Sequence, residues 1–294
     1  MNNHAKGVLM ALSAAILWGI SGTSGQFLFQ QRAMSVEWLM AVRMLGAGIL
    51  LLILALIQKD VHIWAIWRNK SDRRRLLVFG VVGMLTVQYT YFAAIKHSNA
   101  ATATILQFSA PVLIAIYLAV RFRTRLSLRG YFAISLAILG TFLLVTHGDI
   151  GSLNISPLAF AFGIASAVSL ALYTLMPGKL LARYSATTVI GWGLFVGGVA
   201  ISLIKPPWEV DGIWDGYTYA NSLFVVFFGT LIPFYMYLKA VQLIGGQTAS
   251  VLTSAEPLSA TLIAVLWLDV SFLAMDWLGA SSIILTVFLL SRRS

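Results

Sequence analysis

The stretch Ser254-Ala255-Glu256-Pro257 places a carboxylate beside a proline inside a long apolar run. Counted from Gly246, Glu256 lies about 15 Å into this run at 1.5 Å per helical residue, which is the middle of a hydrocarbon layer about 30 Å thick. A lone acid at that depth is costly, and such groups commonly mark ion pathways. Glu256 is therefore a candidate for proton coupling. The alternative is a structural role, in which the carboxyl group is hydrogen-bonded across a broken helix.

Proline inside a helix removes a hydrogen-bond donor and clashes with the backbone one turn earlier, so Pro257 predicts a kinked or open backbone beside Glu256. Pro111, in another apolar run, predicts a second kink. Both prolines are assigned structural roles.

Further polar side chains lie in the same two runs. Thr253 and Glu256 are three residues apart and share one helix face, and Gln107 precedes Pro111 in the other run. Gln107 and Thr253 are candidates for substrate binding, but polar side chains in a membrane also join helices. The sequence leaves both roles open.

Aromatic side chains with a polar tip suit organic metabolites and cations, because they offer stacking, cation-π attraction and a hydrogen bond. Trp18, Tyr89, Tyr173 and Tyr235 are candidate substrate-binding residues on this ground, together with Gln88 beside Tyr89. Packing and interfacial anchoring are the alternative roles for aromatic residues in a membrane protein.

Arg43 lies six residues beyond Glu37, about 9 Å along a helix and within reach of a membrane surface. We expect it to be a structural anchor to carbonyls or lipid headgroups. Binding of a substrate carboxylate is the alternative.

The composition identifies the environment of these residues. The 294 residues are 59% hydrophobic and 10% charged, with a mean hydropathy of +0.87, which is typical of a multi-pass membrane protein. The net charge of +10 lies almost wholly between apolar runs, where it orients spans in the bilayer and does not indicate nucleic-acid binding. The chain has no cysteine, which excludes disulfides, thiolate catalysis and cysteine metal sites.

Ten apolar runs predict an all-α membrane protein of ten transmembrane helices. Their approximate bounds are 7–29, 36–57, 76–95, 100–120, 130–147, 157–177, 187–204, 220–241, 247–266 and 276–291. Nearly all Lys and Arg residues lie in the termini and even-numbered loops, whereas the opposite loops hold only Arg32, Lys96 and Lys205. Since positive loops stay inside, we expect a cell-membrane protein with both termini cytoplasmic.

The chain matches itself weakly at an offset of 146 residues. Tyr89, Tyr91 and Pro111 then meet Tyr235, Tyr237 and Pro257. This offset predicts two five-helix repeats, residues 1–148 and 149–294. Because five is odd, the second repeat would cross the membrane in the opposite sense, as in many secondary transporters.

Four motifs together carry a resemblance to a known family: Leu17-Trp18-Gly19, Arg43, Ser98 to Ala103 leading to Pro111, and Ala255-Glu256-Pro257-Leu258. With them, the chain resembles EamA-type members of the drug/metabolite transporter superfamily over nearly its whole length. The resemblance implies a carrier, facilitative or proton-linked, that most often exports amino acids or related metabolites through a central cavity. Such proteins often have Gly-Glu after the fourth and ninth spans, where this chain has Arg121-Phe122-Arg123 and Leu268-Asp269.

Other functions are considered beside this one. A multidrug or organic-cation efflux carrier is the alternative transporter, and an integral membrane enzyme is the alternative from another class. The histidines have no metal-ligand spacing and no nucleophile or phosphate-binding motif is visible, so we predict no catalytic site, metal or cofactor. The expected partners are a small-molecule substrate, the lipid bilayer and protons, and a homodimer is left open.

Overall fold

All regular elements in the described part of the chain are helices. The computed structural model describes residues 3–123, 128–147, 155–245, 249 and 252–291. We number the main helices α1 (Asn3–Gln30), α2 (Val36–Ile57), α3 (Lys70–His97), α4 (Ala100–Gln107), α5 (Ala110–Phe122), α6 (Leu128–Thr146), α7 (Pro157–Leu175), α8 (Ala186–Ser202), α9 (Gly216–Ile244), α10 (Ala255–Leu268) and α11 (Ala274–Ser291). Two single-turn helices, Ala65–Arg68 and Gly178–Leu181, lie between them.

Six helices in the described residues are long and apolar enough to cross a membrane. They are Asn3–Gln30, Val36–Ile57, Lys70–His97, Ala100–Arg121, Pro157–Leu181 and Gly216–Ile244. Shorter apolar helices are Gly130–Leu144, Ala186–Ser202 and Ala255–Leu268. The chain is therefore an all-helical membrane protein. Each predicted run overlaps a helical segment, but the run 76–95 lies within a longer helix that begins at Lys70, and the regular helix in the run 247–266 begins only at Ala255. Residues 247, 248, 250 and 251 of that last run lie outside the described residues.

Short polar side chains cap the N-termini of several helices. Each of these residues accepts a hydrogen bond from the backbone N–H three positions later, which satisfies a donor that the first helical turn leaves free. The capping residues are Ser35, Asn99, Ser156, Ser185 and Asp215.

Two helices contain a π-helical segment at corresponding positions. These segments are Phe79–Leu85 in α3 and Phe227–Leu231 in α9, and Gly83 and Gly229 within them are 146 residues apart. A π-helical turn widens the backbone locally and is frequent at functional sites. The structure thus repeats an unusual backbone feature at the offset that the sequence predicts.

The packing of the two halves is reciprocal. Helix α1, which opens the first half, packs on α9 and α10 of the second half. Helix α7, which opens the second half, packs on α3, α4 and α5 of the first. Helices α2 and α8 pair with each other, as do α6 and α11. Each half therefore completes the core of the other.

Glycines allow the backbones of α2 and α8 to approach closely. A Cβ on Gly48 would lie 2.7 Å from the backbone nitrogen of Phe195 and 3.1 Å from the carbonyl oxygen of Gly191. A Cβ on Gly198 would lie 2.8 Å from the backbone nitrogen of Leu45. Because these atoms belong to the backbone, they cannot move aside by rotamer change. Small residues serve the same purpose in membrane helix packing generally.

We predict that Gly48→Ala destabilises the protein by about 1–3 kcal/mol, the usual cost of overpacking a tight interface. The measurement is thermal unfolding of the purified protein in detergent. Gly178→Ala is the matched control, because nothing lies within 4 Å of a Cβ at that position. Equal melting temperatures for the two variants would contradict the close packing of α2 and α8.

Asp60, in the loop after α2, joins the first half to the start of α8. Its Oδ2 accepts hydrogen bonds from Ser185 Oγ at 2.5 Å and Thr188 Oγ1 at 2.6 Å, and its Oδ1 accepts one from the N–H of His62 at 3.0 Å. Partial burial opposes ionisation, but the hydrogen bonds from Ser185, Thr188 and His62 outweigh it and hold the pKa of Asp60 below its usual range.

We predict that Asp60→Asn lowers the melting temperature at pH 7, and that the difference from the parent protein shrinks as the pH falls below about 4 and through the lowered folded-state pKa. A carboxyl group with a lowered folded-state pKa contributes stability above its unfolded pKa, and this contribution is lost as the pH falls through the folded pKa. Melting curves between pH 3 and pH 7 measure the effect. Glu209→Gln, at a more exposed loop carboxylate, is the control, and an unchanged difference down to pH 3 would refute the prediction.

Candidate functional site

A central cavity of about 550 Å³ lies between the two halves. Its volume suits a small organic molecule. Helices α1, α2, α3, α4 and α5 line it from the first half, and α7, α9 and α10 from the second. The polar and aromatic side chains in its wall include Trp18, Ser21, Arg43, Gln88, Tyr91, Gln107, Tyr173, Tyr237, Thr253 and Glu256.

The cavity extends to Thr174, in the last turn of α7, on the side of the bundle that leads to the basic residues Lys179 and Arg183. Toward the opposite end, a buried cluster fills the space between helices, including Phe27, Phe29, Leu39 and Phe92. A second, polar pocket of about 390 Å³ lies in that opposite region, where Gln26, Gln30, Ser98, Asn99 and Thr102 line it.

Helix breaks border the cavity in both halves. Helix α4 ends at Gln107 and α5 begins at Ala110, so that Pro111 lies in a first helical turn, where no hydrogen bond is lost. Helix α10 begins at Ala255 after a turn at Thr253 and Ser254, and Pro257 again lies in the first turn. The backbone is interrupted beside both prolines, as their sequence positions predict.

Glu256 lies at the second break, in the cavity wall. Its side chain is partly exposed, and within the described residues no ion pair is formed by it. Its backbone oxygen accepts a hydrogen bond from Ser259 Oγ at 2.9 Å and lies 2.8 Å from where a Cβ on Gly19 would be. Gly19 thus lets α1 pack directly on the first turn of α10 and holds the adjacent Trp18 in the cavity wall.

The polar candidates differ in their hydrogen bonding. Gln107 donates from Nε2 to Ser166 Oγ at 2.6 Å, so it joins α4 to α7 while lining the cavity. Within the described part of the chain, neither the nitrogen nor the oxygen of the Gln88 amide has a hydrogen-bond partner, although the residue is buried. Thr253 lines the cavity next to Glu256.

The aromatic candidates divide into two groups. Trp18 and Tyr173 line the cavity, and Trp18 packs against Tyr237 with ring centroids 5.6 Å apart. Tyr89 and Tyr235 are outside its lining: Tyr89 donates a hydrogen bond to Glu37 at 2.8 Å.

Sequence reasoning missed Tyr91 and Tyr237, which occupy the cavity wall in place of Tyr89 and Tyr235. Both pairs share the 146-residue offset, so the repeat alone does not distinguish them. Two residues correspond to about 200° around a helix, and the face toward the cavity depends on helix rotation. Sequence reasoning also missed Ser21, because a single serine in an apolar run forms no distinctive pattern.

Arg43 is buried inside the protein and does not extend to the membrane surface. Its Nε donates to Thr230 Oγ1 at 3.0 Å and its Nη2 to the carbonyl oxygen of Gly229 at 3.5 Å. The guanidinium carbon lies 4.6 Å from the ring centre of Phe92. The expected anchoring to a carbonyl is present, but it joins α2 to the π-helical segment of α9, and the side chain also lines the cavity.

Comparisons with known proteins agree with this architecture. The sequence profile of the EamA-like transporter family matches twice, at residues 5–146 and 157–292. The uncharacterized inner membrane transporter YicL of Salmonella typhimurium is 43% identical over 299 residues, covering 100% of this chain and 98% of that protein. The uncharacterized transporter YwfM of Bacillus subtilis is 24% identical over 288 residues, covering 96% and 93%.

A solved crystal structure has the same fold, with a TM-score of 0.65 at 18% identity, and the match covers 97% of this chain and 96% of that one. The two profile matches correspond to the two halves with reciprocal packing. The chain therefore belongs to the EamA-like transporter family, as a multi-pass membrane transporter built from two EamA repeats and not as an enzyme.

Proposed function

We propose that this protein is a secondary active transporter that exports an amino acid or a related small metabolite by alternating access. The observation that carries the proposal is a carboxylate, Glu256, in the wall of a central cavity to which both repeats contribute. Transporters of this kind bind substrate and coupling ion near the membrane centre, where broken helices meet. The helix breaks beside Pro111 and Pro257 match that arrangement.

The proposed topology has ten membrane spans in two inverted repeats, residues 1–148 and 149–294. Both termini are placed on the cytoplasmic side of an inner membrane, because they lie on the same side as the basic loops, which stay inside. With this orientation, the cavity is open to the cytoplasm through the end marked by Thr174. The buried cluster around Phe92 is the closed outer gate.

In the proposed cycle, substrate enters the cavity from the cytoplasm and contacts Trp18, Gln88, Gln107, Tyr173 and Thr253. The two halves then rock, the outer end opens, and Glu256 exchanges a proton for the substrate. Tyr89 and Tyr235, outside the cavity lining, are not assigned to substrate contact in this cycle.

An organic-cation efflux carrier is the second candidate. Trp18, Tyr173 and Tyr237 form an aromatic wall near Glu256, and aromatic faces together with a carboxylate attract cations. A carrier for amino acids needs, in addition, a group that recognises a carboxylate. The two candidates therefore differ in the ligand chemistry to be tested.

We predict that Ala115→Cys reacts with a membrane-impermeant thiol reagent in inverted membrane vesicles. Ala115 lines the open end of the cavity, and the parent chain has no cysteine, so the new thiol is the only one. Lys96→Cys, exposed at the opposite end, should react in right-side-out vesicles instead. Labelling of the two variants from the same side would contradict the proposed orientation and cavity opening.

We predict that Glu256→Gln abolishes uptake driven by a pH gradient in proteoliposomes, because glutamine cannot exchange a proton. A melting-temperature screen against amino acids and cationic metabolites supplies the substrate, since ligands that bind the folded state stabilise it. Glu209→Gln removes a carboxylate from an exposed loop and should retain coupling. Undiminished gradient-driven transport by Glu256→Gln, with an intact fold, would refute the proton role.

A further inference from the structure

Several buried polar atoms in the cavity wall have no hydrogen-bond partner among the residues that the structure describes. These atoms are Nη1 of Arg43, both amide atoms of Gln88 and Oγ of Ser21. The three side chains are 4%, 8% and 2% exposed, and all three line the cavity. A buried polar group without a partner is costly, and nearly all such groups in native proteins are satisfied. Three such side chains around one cavity leave hydrogen-bonding capacity that a polar ligand could use.

The three side chains come from neighbouring elements and meet at one region of the cavity. Gln88 lies one helical turn before Phe92, whose ring lies against the Arg43 guanidinium. Ser21 packs against Gly229, where a Cβ would collide with its hydroxyl, and the carbonyl of Gly229 accepts a hydrogen bond from Arg43. Ser21 and Gln88 are thus each linked to Arg43 through one residue that Arg43 contacts, Gly229 for Ser21 and Phe92 for Gln88.

The Arg43 guanidinium is held on two edges and open on the third. Thr230 and Gly229 fix Nε and Nη2, and the Phe92 ring covers one face. Nη1 has no hydrogen-bond partner in the described ranges of the chain. Arginine stays charged at any physiological pH and offers its donors in a planar fork that matches a carboxylate. Its fixed position reduces the ordering needed when a ligand binds.

We propose that Arg43, Ser21 and Gln88 form a subsite for the carboxylate group of the transported substrate. Arg43 supplies the charge, and the hydroxyl of Ser21 and the amide nitrogen of Gln88 supply further donors. Among the described residues the Gln88 amide has no hydrogen-bond partner, so the side chain can rotate to suit a ligand without breaking a hydrogen bond. This subsite rests on the proposed transport function and assigns Arg43 a ligand-binding role in addition to its anchoring role.

The charge distribution in the cavity agrees with a ligand that carries both signs. Arg43 and Glu256, which carry opposite charges when ionised, both lie in the wall of the same cavity. In the described part of the chain, neither group forms an ion pair. A zwitterion would place its carboxylate at Arg43 and its ammonium group toward Glu256. A simple organic cation would offer the Arg43 guanidinium no hydrogen-bond acceptor, and the two positive charges would repel each other.

The test compares ligands that differ only in the carboxylate. The full-length protein in detergent is titrated with 3-phenylpropionate and 3-phenylpropionamide, and with L-phenylalanine and L-phenylalaninamide, while the melting temperature is measured. We expect the carboxylates to raise the melting temperature and the amides to have little effect. We expect Arg43→Gln to weaken carboxylate binding on the order of tenfold or more, because it removes a charged hydrogen bond.

Gln88→Leu and Ser21→Ala keep the test decisive if Arg43→Gln does not fold. Each replaces an unpartnered polar group by an apolar one, so the empty protein should melt at the same or a higher temperature. A residue with a purely structural role would not combine retained stability with weaker carboxylate binding. Ser222→Ala is the matched control, since Ser222 Oγ is also buried without a partner but lies outside the cavity lining. It should leave carboxylate binding unchanged.

Three outcomes would overturn the subsite: equal stabilisation by acids and amides, no stabilisation by any carboxylate, or full carboxylate binding by Arg43→Gln. The proposed transport function is judged separately, by counterflow of ³H-labelled L-phenylalanine in proteoliposomes, with ³H-labelled L-phenylalaninamide and phenethylamine tested beside it. Counterflow of these amines without any carboxylate response would retain the carrier and favour the organic-cation candidate. A carboxylate response without counterflow of any tested compound would retain the subsite and count against transport.

Discussion

Charge in an apolar environment is the constraint on which the rest of the structure depends. Arg43 and Glu256 lie in the interior of a bundle whose outer surface is apolar, and a charge at that depth is stable only with polar partners, water or a proton. The protein supplies Arg43 with Thr230, Gly229 and the Phe92 ring. Glu256 instead has access to the cavity. The cavity, the helix breaks and the π-helical segments are all means of bringing polar atoms to these two charges.

The backbone irregularities follow from the same constraint. A regular helix uses all its interior N–H and C=O groups in its own hydrogen bonds, so it has none to offer a charge or a ligand. The π-helical turn at Phe227–Leu231 makes the Gly229 carbonyl available to Arg43. The turns before Ala110 and Ala255 interrupt the helices next to the cavity. Such departures are tolerated within a membrane where the irregular backbone lies inside the protein, and Gly229, Ser109 and Ser254 at these three places are buried.

The sequence predicts the helices and much of the cavity wall, because apolar length and isolated polar residues are strong patterns in a membrane protein. Trp18, Gln88, Gln107, Tyr173, Thr253 and Glu256 all line the cavity. Tyr89 and Tyr235 lie outside the lining, which the sequence does not predict because the rotation of α3 and α9 about their axes depends on π-helical turns that no residue pattern indicates. The sequence also does not predict the burial of Arg43, because a side chain at that distance from the helix end can reach either the membrane surface or the protein interior. Its tertiary partners decide between the two.

The unpartnered atoms around Arg43 also connect stability with function. A binding site that satisfied all its own polar groups in the empty state would gain little from a ligand, because ligand hydrogen bonds would only replace internal ones. Leaving Ser21, Arg43 and Gln88 incompletely bonded destabilises the empty cavity and makes a complementary ligand correspondingly more favourable. A carrier must also release its ligand, so the same groups must lose their complementarity when the cavity opens to the other side. The Arg43 anchor meets this requirement, because it depends on α9 of the other repeat and shifts whenever the two repeats move relative to each other.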